Sequence, residues 1–132
     1  NQTPYVSTTN AVYVNPSTGT LYAVSKSFRI NHPTKAGKML VYGVLEGPEN
    51  AVYARGRLTD SNTIDLPEYW DTLVDVSTTT VQLTPIGSHQ KLLIDNIEGN
   101  TITIQEEDGN SIDCYYYIMA ERKDLDKLVV EE

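Results

Sequence analysis

Cysteine, histidine and the larger aromatics are scarce: the 132 residues include one Cys, two His, one Phe and one Trp. The lone Cys114 excludes an internal disulfide and any zinc site built from cysteines, and it fits a reducing compartment, where it acts as a small apolar residue. Basic residues are outnumbered, with 10 Lys and Arg against 18 Asp and Glu, for a formal net charge of -8 and a pI near 4.6. A chain so acidic is unsuited to neutralising a phosphate backbone, so no nucleic-acid partner is expected. Long apolar runs are also missing. The longest, residues 39–42 and 115–120, fall far below the ~20 residues of a membrane helix, and no charged-then-apolar leader opens the chain, so neither membrane insertion nor secretion is expected. Asn1 in place of Met sets the expectation that the true start is missing.

Apolar spacing of three and four is nearly absent too, and with it any long amphipathic helix. What is present is alternation: nine Tyr and many β-branched residues interleave with polar ones, the period of half-buried strands. In Ala51–Thr59, Val52, Ala54, Gly56 and Leu58 take one face and Tyr53, Arg55 and Arg57 the other, with Gly56 marking a bulge or a close neighbour. Residues 101–105 and 111–119 flank a Gly109-Asn110 turn and predict a hairpin. Residues 92–97 precede them through Glu98-Gly99-Asn100, which extends the prediction to a three-stranded meander. Residues 39–45 and 80–86 supply further strands. Residues 67–73 predict one or two helical turns, with Pro67 at the first position and Asp65 as the cap. Residues 11–14 and 21–24 form a small hairpin around Asn15-Pro16-Ser17-Thr18-Gly19 with little to bury it, and such a ribbon is marginal alone. The expected architecture is therefore all-β: an antiparallel β-sandwich-like domain over residues 28–124, preceded by a β-hairpin connector over residues 1–27, which must pack on the main domain or on copies of itself, and followed by a tail over residues 125–132. At 39% apolar residues the core is modest, and association with other chains would bury more surface.

Catalytic chemistry finds little support. A nucleophilic triad needs a histidine, and His32 (in Asn31-His32-Pro33) and His89 (in Ser88-His89-Gln90) lie in no nucleophile setting. Glu46-Gly47-Pro48-Glu49 places two carboxylates about a Gly-Pro turn. With His32 they would offer oxygen and nitrogen ligands to a metal or flank a sugar ring. The plainer reading pairs one Glu with Arg55 or Arg57 and leaves Gly-Pro to set the reversal. Residues 106–113 are rich in oxygen ligands but lack calcium-loop spacing. No catalytic residue, metal or cofactor is expected. Tyr115-Tyr116-Tyr117 divides between two strand faces, with Cys114, Tyr116 and Ile118 opposite Tyr115, Tyr117 and Met119. Tyr115 and Tyr117 then cover a subunit interface, pack only in the core, or form a shelf for a sugar. Tyr69 and Trp70 either anchor a corner or hold a ligand.

Phe28-Arg29-Ile30-Asn31-His32-Pro33, Leu40-Val41-Tyr42-Gly43-Val44-Leu45-Glu46-Gly47-Pro48-Glu49 and Tyr53-Ala54-Arg55-Gly56 together resemble a module of tailed-bacteriophage tail fibres, tailspikes and related virion appendages. Ile64-Asp65-Leu66-Pro67-Glu68-Tyr69-Trp70, Val81-Gln82-Leu83-Thr84-Pro85-Ile86-Gly87 and Tyr116-Tyr117-Ile118-Met119-Ala120-Glu121-Arg122-Lys123-Asp124 resemble its later blocks in the same order. The residues matching motif positions are His32, Pro33, Glu46, Gly47, Pro48, Glu49, Arg55, Gly56, Leu66, Pro67, Thr84, Pro85 and Arg122, a set suited to specifying a fold. Ala54 departs from the bulkier residue common in that family. The resemblance implies a virion structural protein, made in the host cytoplasm, that assembles as a parallel homotrimer near the distal end of a fibre and attaches to a bacterial surface glycan or protein receptor. In some phages such regions adjoin a self-cleaving chaperone domain that templates trimerisation and is then lost. Loops over residues 31–38, 59–63, 87–91 and 106–110 would display the recognition residues. The alternatives are a glycan-active or autoproteolytic element built on His32, Glu46 and Glu49, and a monomeric carbohydrate-binding module using Tyr69 and Trp70.

Overall fold

A computed structural model describes residues 13–23 and 25–132. Residues 11, 12 and 24 of the predicted first hairpin lie outside them. Its paired part is present as β1 (Tyr13–Val14) against β2 (Leu21–Tyr22), closed by the Asn15 carbonyl accepting from the Gly19 N–H at 2.8 Å, with Gly19 at the positive φ that the turn requires.

The remaining strands are antiparallel and fall into three further sheets. β3 (Ser27–Asn31) pairs with β4 (Met39–Gly43). β5 (Ala51–Thr59), β7 (Thr80–Pro85) and β10 (Asp113–Glu121) form a sheet in the order β5-β10-β7, and β6 (Thr63–Asp65), β8 (Leu92–Glu98) and β9 (Thr101–Glu106) form another in the order β6-β9-β8. The two three-stranded sheets contribute to one apolar cluster. Val52, Leu58, Cys114, Ile118 and Ala120 come from the first and Ile64, Ile102 and Ile104 from the second. The β3–β4 ribbon adds Leu40, with Phe28, Ile30 and Tyr42 packed against the cluster. An arginine fastens this ribbon to the end of β10. The Arg122 guanidinium lies 3.8 Å from the Phe28 ring centroid and makes two bonds to Asp124, at 2.9 and 2.6 Å.

Two predictions of connectivity are overturned. β9 and β10 are not a hairpin: β9 pairs with β6 and β8, and β10 with β5 and β7. The backbone around residue 112 finds its partners elsewhere. Gln90 accepts from the Asp113 N–H at 2.9 Å and donates to the Ser111 carbonyl at 2.7 Å, and the Ile112 carbonyl accepts from Asp60 N–H. The Gly109-Asn110 turn therefore carries the chain from one sheet to the other, with the Glu106 carboxylate accepting from Asn110 N–H at 2.6 Å. The meander reduces to β8–β9, which carries a bulge between Ile94 and Asn96.

The helix is a single turn, α1 (Trp70–Leu73), and Asp65 does not cap it. Tyr69 holds the N-cap position without a side-chain bond. Asn100, from the β8–β9 turn, supplies the cap across space: its Oδ1 accepts from Asp71 N–H at 2.7 Å and its Nδ2 donates to the Glu68 carbonyl at 2.9 Å. A 3₁₀ turn, Val76–Thr78, follows, started by Asp75 accepting from Ser77 N–H at 3.0 Å.

Candidate binding face

The alternation in β5 and β10 is realised as read. Val52, Leu58, Cys114, Ile118 and Ala120 are buried, and Tyr116 packs inward over Gly56. There an added Cβ would stand 2.5 Å from the Tyr116 hydroxyl oxygen, so Gly56 accommodates a close neighbour. The other face of the same sheet points outward. Register places Tyr53, Met119 and Thr80 in one row, Arg55, Tyr117 and Gln82 in the next, and Arg57, Tyr115 and Thr84 in a third.

Three properties distinguish these rows. Tyr115 and Tyr53 are 56% and 45% exposed, large aromatic areas for solvent to cover. The Tyr53 and Tyr117 rings stack with centroids 5.6 Å apart and planes 14° from parallel, which holds the two rings in register with each other. The rows contain two arginines and no carboxylate, although the chain carries a net charge of -8. Arg57 is engaged at the edge of the rows by Asp113 through two bonds of 2.9 Å. The hydrogen bond from Arg57 holds the Asp113 carboxyl below its ordinary value, opposed by partial desolvation. Arg55 has no ion-pair partner among the described residues. A groove of about 530 Å³ runs along Arg55, Arg57, Gln82, Thr84, Tyr115 and Tyr117. Stacked rings, an unpaired guanidinium, an amide and hydroxyls can bind an anionic or amphipathic ligand.

The other sequence candidates occupy separate places. Glu46 pairs with Lys26, not with Arg55 or Arg57, and the Arg57 fork is taken by Asp113. Gly47 has open space around it, Pro48 is exposed, and the Glu49 carbonyl accepts from Ala51 N–H at 3.1 Å. His32 is turned to its own loop: Nδ1 accepts from Thr34 and Lys35 N–H at 3.2 and 3.0 Å, beside half-buried Pro33. Its ring meets Tyr69 edge-on, with centroids 5.0 Å apart. No group of three or more His, Cys, Asp or Glu suited to holding a metal occurs among the described residues. His89 lies on an exposed loop.

Tyr69 is half-buried, and its hydroxyl lies 2.6 Å from that of Tyr42. Burial, reinforced by this bond, pushes the Tyr42 phenol far above its ordinary value. Trp70 is 1% exposed; its ring fills the corner between the sheets and offers no surface to a ligand. Leu66 is buried nearby, and the Pro67 carbonyl accepts from Trp70 N–H. Thr84 and Pro85 pair with Tyr115 and Cys114 in β7–β10. Burial raises the Cys114 thiol pKa, consistent with a packing residue. The motif residues are thus mostly turn, register and packing positions, Arg55 excepted.

A scan against protein-family models and searches of curated proteins and of solved structures return no match to this chain.

Proposed function

We propose that this chain is a structural and adhesive module of a trimeric tail fibre or related appendage of a tailed bacteriophage, carried on the virion and engaged in attachment to the host surface. In this reading the two three-stranded sheets act as a β-sandwich, three copies associate around an axis, and the connecting loops meet a receptor on the bacterium. The observation that carries the reading is apolar surface left uncovered in the single chain. Val41, Val44, Leu45 and Tyr53 are 54%, 45%, 38% and 45% exposed along one groove beside the start of β5. In the β1–β2 ribbon, Val14 and Leu21 are 44% and 50% exposed. A ribbon of two residues a side gains stability by packing against copies of itself, and a contiguous apolar strip is a surface that association would cover. The block-by-block resemblance to fibre modules supports the same reading, and the residues of the glycan-active alternative are otherwise engaged, Glu46 with Lys26 and His32 Nδ1 with the N–H groups of its own loop.

Light scattering coupled to size exclusion tests this directly. The expected particle has three times the chain mass of 14.7 kDa. A monodisperse monomer that persists at high concentration overturns the proposal.

A further inference from the structure

The tail after β10 is apolar where it has nothing to cover. Its base is held: Asn50 Nδ2 reaches the Asp126 carbonyl at 3.5 Å, and Lys127 lies 3.5 Å from Glu121. Beyond that point Leu128, Val129 and Val130 are 48%, 68% and 65% exposed, and Glu131 and Glu132 follow. One molecule therefore carries two exposed and complementary surfaces. One is the short apolar run Leu128-Val129-Val130 with Glu131 and Glu132 beside it. The other is the outward face of β5-β10-β7, with stacked Tyr53 and Tyr117, exposed Tyr115 and unpaired Arg55.

We propose that residues 128–132 of one copy lie across the Tyr–Arg face of the next, with Leu128, Val129 and Val130 covering Tyr53, Tyr115 and Tyr117 and with Glu131 or Glu132 meeting Arg55. The inference rests on the trimeric reading above and names the contact that closes it. Charge decides between this arrangement and direct packing of the faces on one another. Burying three copies of Arg55 around an axis would bring like charges together without partners, whereas a carboxylate from a neighbouring tail satisfies each guanidinium with a charge-assisted bond. Geometry agrees with exchange. The tail and the face are different patches of one chain, so the contact is heterologous, and a heterologous contact that closes forms a ring. The groove of about 530 Å³ along Arg55, Gln82 and Tyr115 lies on this face and gives side chains of the neighbouring segment a place to seat.

Sedimentation velocity over a concentration series, on variants whose folding is checked by circular dichroism, tests the contact. Stopping the chain after Lys127 is expected to weaken association at least about tenfold, as is Arg55→Glu alone or the pair Glu131→Lys and Glu132→Lys. Combining Arg55→Glu with the two tail reversals is expected to restore association to within about threefold, a rescue that a general loss of stability would not produce. A synthetic peptide of residues 123–132 is expected to bind the shortened chain and to lose that binding with Arg55→Glu. If the full chain is trimeric and the shortened chain associates equally well, the tail contact is wrong and the trimeric reading stands. If the full chain is monomeric at every concentration, both fall, including when its own tail protects the Tyr face. If the peptide does not bind while polygalacturonate binds the face in an Arg55-dependent way, the tail contact is overturned in favour of an external acidic saccharide.

Discussion

Gly56 shows how much one side chain depends on its neighbour across the sheet. The Tyr116 ring occupies the space a Cβ would need, with the hydroxyl oxygen at 2.5 Å and Cζ at 2.7 Å. Gly56→Ala is therefore expected to destabilise the fold by about 1–3 kcal/mol, through overpacking and displacement of the ring. Removing that ring in a Gly56→Ala/Tyr116→Leu double variant is expected to recover part of the loss relative to the sum of the single changes. Urea denaturation of the four proteins measures the coupling; strict additivity would sink the argument. The glycine's role was readable in the sequence as a close neighbour, because an unsubstituted position inside an alternating strand has few other uses. Its partner was not. Tyr116 is 60 positions away, and the pairing becomes visible only through the β5–β10 register. The same limit applied to Arg57. Local reasoning assigned an arginine to Glu46 or Glu49, but the fork closes on Asp113, directly across from Thr59 and two positions along β10 from Tyr115, the residue opposite Arg57. Charge pairs that join distant strands are set by register, which short-range spacing does not encode.

Among elements, α1 is the one that depends most on something outside itself. A single turn cannot sustain itself by propagation, and its first N–H groups require an acceptor. Asn100 provides one and at the same time ties the turn to the β8–β9 connection through the Glu68 carbonyl. Asn100→Ala is expected to cost about 0.5–2 kcal/mol. Asn100→Asp, which keeps the acceptor and loses the amide donor, is expected to cost less, and thermal unfolding followed by the buried Trp70 signal ranks them. Equal stability of all three proteins would show that the cap contributes nothing. Most strands were legible from alternation, but β3 (Ser27–Asn31) and β6 (Thr63–Asp65) were not, being short and without a clear alternating signal. Turn chemistry did not reveal which strand follows as a partner. After Gly109-Asn110 the chain changes sheets because Gln90 and Asp60 capture the backbone of residues 111–113, and neither residue had a local signal for that task. The outward face, in contrast, was legible as a Tyr-rich stripe. Its arginines became significant only once register placed them beside the stacked rings.

Across the whole molecule, three carboxyls respond to folding in the same direction. Asp113 is held below its ordinary value of 3.8 mainly by the Arg57 bond, Asp75 below 3.8 by Ser77, and Glu68 below 4.5 by Lys35. For a carboxyl depressed in the folded state, the stabilisation is complete above the unfolded value and is lost as the pH falls through the folded one. The fold is therefore expected to hold its stability down to roughly pH 5 and to lose it progressively below the ordinary carboxyl values, with a shallower loss in high salt because these groups are solvent-exposed. Melting temperatures between pH 7 and pH 2 at two ionic strengths measure this. A stability that rises on acidification would contradict it.

The Arg122 guanidinium also joins the two flanks of the domain. It lies over Phe28 in β3, near the start of the globular part, and bonds Asp124 just beyond β10. The chain thus enters and leaves the domain near one point. In the fibre reading proposed above, a pull along the chain would meet this single cation–ring contact before it reached the hydrogen-bonded ladders.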